Sequence, residues 1–127
     1  MKKLITIGVL SLFLLACSPS DTSAINQLSA MESAGLQSND FAVIIDVRSN
    51  NEWNNQRIPG ALHIPLADLE GRMEELKSFE GKQLIMQCAV GGRSSKAVEI
   101  LQQAGFSNVS NMNGGLVAWQ KANLPVE

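Results

Sequence analysis

The residues with most chemical potential lie in one short run, Cys88-Ala89-Val90-Gly91-Gly92-Arg93-Ser94. An apolar stretch ends in a thiol, a glycine-containing loop turns the chain, and a helical pattern starts at an arginine. Glycines let the backbone turn and aim successive N–H groups inward. A helix that starts there adds unsatisfied N–H groups and a positive dipole end. With the Arg93 charge nearby, such a loop stabilises an anion on the Cys88 sulfur, so the thiol is expected to ionise below the ordinary range. The same loop could hold a persulfide anion or the sulfur of a donor. The plain alternative is a strand-to-helix turn at Gly91-Gly92, a surface charge at Arg93, and a buried structural cysteine, a common fate for free Cys.

Other candidate groups narrow the chemistry. His63 is the single histidine, which excludes a multi-histidine metal site and implies no metal cofactor. It reads as structural rather than as a base. Asp46 and Arg48 read as a network supporting a strand end, with a secondary role at most. Trp53 and Trp119 are expected to pack on a sheet. Glu70, Glu74 and Glu75 read as a solvated helix face.

The surrounding sequence must position Cys88. Residues 41–46 and 83–88 are continuous apolar runs of the kind that form buried parallel strands. Residues 61–64 and 107–111 read as shorter strands. Helical spacing is expected over 24–34 (Ile25, Leu28, Met31), over 66–79 (Leu66, Leu69, Met73, Leu76) and over 93–104, with a last helix over 116–122. Residues 49–55 read as a short helix capped by Ser49 with Glu52 three residues on, and Pro59-Gly60 marks a turn. Strands alternating with helices imply an α/β fold, a central mainly parallel sheet with helices on both faces. Ligands of such sheets bind at the carboxyl ends of the strands, where Cys88 falls.

The chain has 127 residues, enough for one domain, with 45% apolar and 17% charged residues. The net charge is −2, and setting aside Lys2 and Lys3 leaves eight basic against twelve acidic residues. No nucleic-acid partner is expected. The first residues differ from the rest. Lys2-Lys3 precedes an uncharged run, 4–15, too short to span a bilayer and of signal-peptide size. Residues 1–16 are therefore expected to be a signal peptide. Leu14-Leu15-Ala16-Cys17 resembles a bacterial lipoprotein box, which implies acylation of Cys17 and a lipid anchor to the membrane. Residues 18–23 read as a flexible tether, so that 17–23 is a lipidated Cys and tether and the folded domain occupies 24–127. The expected location is the cell envelope, on the periplasmic side and, in a Gram-negative cell, at the outer membrane. Acylation of Cys17 would leave Cys88 without a disulfide partner, and an extracytoplasmic protein that keeps such a thiol is expected to use it.

Five segments together carry a family resemblance: Ile45-Asp46-Val47-Arg48; Glu52-Trp53; Ile58-Pro59-Gly60-Ala61 through Ile64-Pro65; Cys88-Ala89-Val90-Gly91-Gly92-Arg93-Ser94; and Gly114-Gly115-Leu116-Val117-Ala118-Trp119 with Leu124-Pro125. In this order and spacing they resemble a single-domain rhodanese over nearly all of 24–127. The resemblance implies a sulfurtransferase. Cys88 would take sulfur from a small sulfur-containing anion such as thiosulfate, become a persulfide, and pass the sulfur to a thiol or to cyanide in a two-stage covalent cycle. Ala89, Val90, Gly91, Gly92 and Arg93 would bind the donor, and no cofactor is implied. The six-residue loop from Cys88 to Arg93 goes with sulfur transfer in this fold, whereas a loop one residue longer goes with phosphatases. The alternative is a binding or sulfur-carrier module without turnover. Three departures stand out. Ala89 and Val90 are uncharged where many thiosulfate-using relatives carry a basic residue. Gln56-Arg57 replaces Gly-His, and Asn123 replaces a glycine at a position where Asn tolerates a left-handed cap.

Overall fold

The computed structural model describes residues 24–127; the 1–16 run, Cys17 and the 17–23 tether lie outside the described residues. The five strands are β1 (Gln27–Leu28), β2 (Ala42–Asp46), β3 (Leu62–His63), β4 (Gln83–Gln87) and β5 (Val109–Met112). They form one sheet in the order β1-β5-β4-β2-β3, and every pairing is parallel. The helices are α1 (Ala30–Ser38), α2 (Asn50–Asn55), α3 (Met73–Lys77), α4 (Gly92–Gln103) and α5 (Gly115–Lys121).

Alternation along the two central strands builds a core on each face. Ile45, Val47, Leu84, Met86 and Cys88 face α4 and the 66–79 segment, packing on Leu69, Leu76, Ala97, Val98 and Leu101. Ala42, Ile44 and Ile85 face the other way, against Ala30, Leu116 and Trp119. Ile44, Ile45 and Ile85 are fully buried, and such a side chain contributes about 1.5–3 kcal/mol by leaving water. The Trp119 indole N–H donates to the Pro125 carbonyl at 2.8 Å, which satisfies its polar atom.

Two expectations are corrected. The helix expected over 24–34 starts only at Ala30, because Ser29 and Glu32 form a reciprocal capping box there. Just before it, Gln27 and Leu28 instead pair with Asn111 and Met112 as an edge strand. The helix expected over 66–79 is two short 3₁₀ turns, Leu66–Asp68 and Glu70–Arg72, followed by α3. Leu69 and Leu76 still reach the core, so the segment keeps its apolar side without a regular helix. Trp53 packs on the sheet as expected, at its β3 edge. It stacks on the His63 ring at 4.7 Å and carries the Arg57 guanidinium at 5.2 Å from its ring centre. The Ser49–Glu52 capping box of α2 forms as expected, and Asn123 adopts a left-handed φ of 57°.

Candidate active site

β2 and β4 end side by side, with Asp46 opposite Gln87. The chain leaving β4 places Cys88 in the α4-side core, 1% exposed. Two donors hold its carbonyl: the Leu116 N–H at 2.9 Å and the Gln87 side-chain amide at 2.9 Å. The neighbouring Ala89 carbonyl accepts from the Val117 N–H at 3.1 Å. The start of α5 therefore fixes the first peptides of the loop and leaves the sulfur aimed at the loop's interior. This contact requires Gly115. Its φ is 55°, and a Cβ there would lie 2.4 Å from the Cys88 carbonyl oxygen.

Gly91 is the residue before α4, at φ 110°, a conformation open to glycine and strained for other residues. Its N–H donates to Cys88 Sγ at 3.0 Å. The Ser94 hydroxyl lies 3.3 Å from the same sulfur. Burial acts to raise the Cys88 thiol. Hydrogen bonds from the Ser94 side chain and from the backbone of Ser94, Gly91 and Val90 outweigh it, so the thiol lies below its ordinary value. The donors aimed at sulfur are thus Val90, Gly91 and Ser94, at the loop's middle and the helix's first turn.

Ser94 has one proton and two acceptors. Its Oγ is 2.5 Å from Asn111 Oδ1, and Asn111 Nδ2 donates to Gln27 Oε1 at 2.8 Å. While Cys88 is a thiol, its S–H can donate to Ser94 as Ser94 donates to Asn111. When Cys88 ionises, the Ser94 proton must turn to the sulfur. Ser94 and Asn111 were not assigned this role by sequence reasoning. Ser94 carried a signal as the residue after the loop arginine; Asn111 carried none beyond its place at a strand end.

Arg93 brings its charge near Cys88, as expected, and also has a carboxylate partner. Its guanidinium forms a two-pronged ion pair with Glu52, at 2.7 and 2.9 Å. The Arg93 hydrogen bond, ahead of the opposing effect of partial burial, pulls the Glu52 carboxyl down to about 2, with Ser49 assisting. Asp46 and Arg48 form a second closed unit. Arg48 Nε and Nη2 bond the Asp46 carboxylate at 2.7–3.0 Å, Nη2 reaches the Gln56 carbonyl at 2.7 Å, and the His63 ring contacts the Arg48 carbonyl at 2.8 Å. Neither Asp46 nor Arg48 hydrogen-bonds the sulfur, and the His63 ring lies between the Arg48 carbonyl and Trp53. Among the described residues no group of three or more His, Cys, Asp or Glu side chains converges as a metal site would require.

Residues 27–122, which carry this thiol and its loop, match the rhodanese-like domain. The chain belongs to the rhodanese-like domain family. A sulfurtransferase of Allochromatium vinosum is 31% identical over 91 residues, covering 72% of this chain and 83% of the relative. An uncharacterised protein of a Synechocystis strain is 33% identical over 90 residues, covering 71% of this chain; the match spans only 49% of that relative. Among solved structures, a thiosulfate sulfurtransferase from Pseudomonas aeruginosa superposes with a TM-score of 0.75 at 30% identity, over 81% of this chain and 20% of that one. The rhodanese-like fold, with its central parallel sheet, is thus shared with solved relatives, and family members named sulfurtransferases place the chain in a sulfur-transferring family.

Proposed function

We propose that this rhodanese-like domain moves sulfane sulfur from a donor such as thiosulfate to a thiophilic acceptor, with Cys88 as the carrier. The observation that carries this reading is the pair of donors on Cys88 Sγ, Gly91 N–H at 3.0 Å and Ser94 Oγ at 3.3 Å. They favour the attacking thiolate, and they suit a persulfide anion one sulfur further into the loop. The thiolate attacks the outer sulfur of the donor. The donor's S–S bond breaks, and sulfite leaves with the electron pair when the donor is thiosulfate. A thiol or cyanide then attacks the outer sulfur of the persulfide and regenerates the Cys88 thiolate.

The amino-terminal sequence supports a setting for this chemistry: a signal peptide over 1–16 and a lipid anchor on Cys17, with the domain held at the cell envelope. Intact mass tests the transfer. The protein beginning at Ser18 should gain one sulfur atom on treatment with a sulfane-sulfur donor and lose it to cyanide. Cys88→Ser should gain nothing. Folded protein with a titratable Cys88 that takes up sulfur from no donor would refute the transfer. Labelling cells with a fatty-acid probe, with Cys17→Ala as control, tests the anchor.

A further inference from the structure

The charges around the Cys88 loop bear on which donor it takes. Each arginine among the described residues has a carboxylate partner: Arg48 with Asp46, Arg57 with Glu127, Arg72 with Glu75 and Arg93 with Glu52. Lys77, Lys82 and Lys96 are paired with Glu74, Asp40 and Glu99. Lys121 closes α5, whose opposite end meets the loop. Arg93 is the cation of the loop itself, and both of its bonds to Glu52 use the fork by which a guanidinium would hold an oxyanion. A dianion such as thiosulfate must displace Glu52 or face its negative charge.

Two apolar side chains stand exposed beside the loop. Val90, at the loop tip, is 67% exposed, and Val117, bonded through its N–H to the Ala89 carbonyl, is 42% exposed. Ala89 and Val90 add no charge. Exposed apolar side chains beside a paired cation favour a thiol persulfide, which carries at most one negative charge on its reacting sulfur, over a doubly charged oxyanion.

We propose that Glu52 is a specificity-determining residue which, by occupying Arg93, makes thiol persulfides the preferred donors of Cys88 and oxyanions poor ones. This rests on the sulfurtransferase reading above. The Cys88 thiolate attacks the outer sulfur of R–S–SH. The bond between the two donor sulfurs breaks, the inner sulfur takes the electron pair and the proton, and R–SH leaves. Cys88 keeps the outer sulfur as a persulfide anion. Atoms and charge balance with no oxidant or reductant.

Glu52→Gln separates charge from structure, because Gln also serves at this position of a capping box. The experiment measures the rate of Cys88 persulfidation by intact mass, with thiosulfate and with N-acetylcysteamine persulfide, which carries no charge beyond its S–SH group, as donors. The wild-type protein should load faster from the persulfide. Glu52→Gln should speed loading from thiosulfate about tenfold, mainly by tightening the apparent donor affinity, the scale of one charge-assisted hydrogen bond regained. Loading from the persulfide should change less than about twofold. Adding Arg93→Gln to Glu52→Gln should remove the thiosulfate gain, which a general effect of Glu52 on folding would not produce. A wild-type preference for thiosulfate, or a Glu52→Gln protein no faster with it, overturns the assignment of Glu52 while leaving sulfur transfer intact. Loading from neither donor in any variant overturns the transfer reading and this inference with it.

Discussion

The ends of β2 and β4 lie side by side, in register, at the carboxyl edge of one sheet, and treat charge in opposite ways. At the end of β2, Asp46 and Arg48 neutralise each other in a buried ion pair whose remaining donors go to Gln56 and whose backbone is met by His63. Nothing there asks for a ligand. At the end of β4, N–H and O–H groups converge on a single sulfur with no cation bonded to it. The first arrangement is closed. The second is completed by a negative charge on sulfur. The same topological position therefore serves as a brace or as a reactive centre, depending on whether its polar groups are satisfied within the chain.

Substitutions can break that contrast. The largest expected effect falls on the brace. Asp46→Ala leaves the Arg48 guanidinium buried without its counter-ion and should cost about 3–5 kcal/mol of stability, read as a lower midpoint in urea unfolding. Ser94→Ala acts on the other side. It removes a hydrogen bond from the thiolate, so the midpoint of iodoacetamide alkylation should move to higher pH, and alkylation near neutral pH should slow about tenfold. Its unfolding midpoint should move much less than that of Asp46→Ala. Equal losses of stability would erase the distinction between the strand ends. The smallest effect is expected for His63→Phe. The stack on Trp53 is kept and one hydrogen bond to the Arg48 carbonyl is lost, so stability should fall by about 1 kcal/mol, with the Cys88 alkylation profile unchanged.

The sequence made some of this legible because the determinants are local. The apolar runs of β2 and β4, the Ser49–Glu52 cap and the helix starting beside Arg93 depend on residues a few positions apart, and each formed where its pattern indicated. The amino-terminal error was also a local one: Ile25, Leu28 and Met31 fit a helical period, yet the pairing of Gln27 with Asn111 joins opposite ends of the chain and overrode it. Met31, one of the residues of that spacing, is 61% exposed. The site failed to show itself in the same way. Cys88 and Gly91 are neighbours in sequence, so their relation could be read. The grip of Glu52 on Arg93 spans 41 positions and that of Asn111 on Ser94 spans 17. Neither spacing belongs to a helix or strand period, so neither partner could be named in advance.

The contact between Gly115 and the Cys88 carbonyl has a consequence for how the protein matures. Leu116 and Val117 supply the backbone bonds that set the loop, and they follow Cys88 by nearly thirty residues in the chain. The loop bonds made by Leu116 and Val117 exist only once α5 has docked, so the sulfur gains its reactivity late in folding, and a partly folded chain carries an ordinary cysteine.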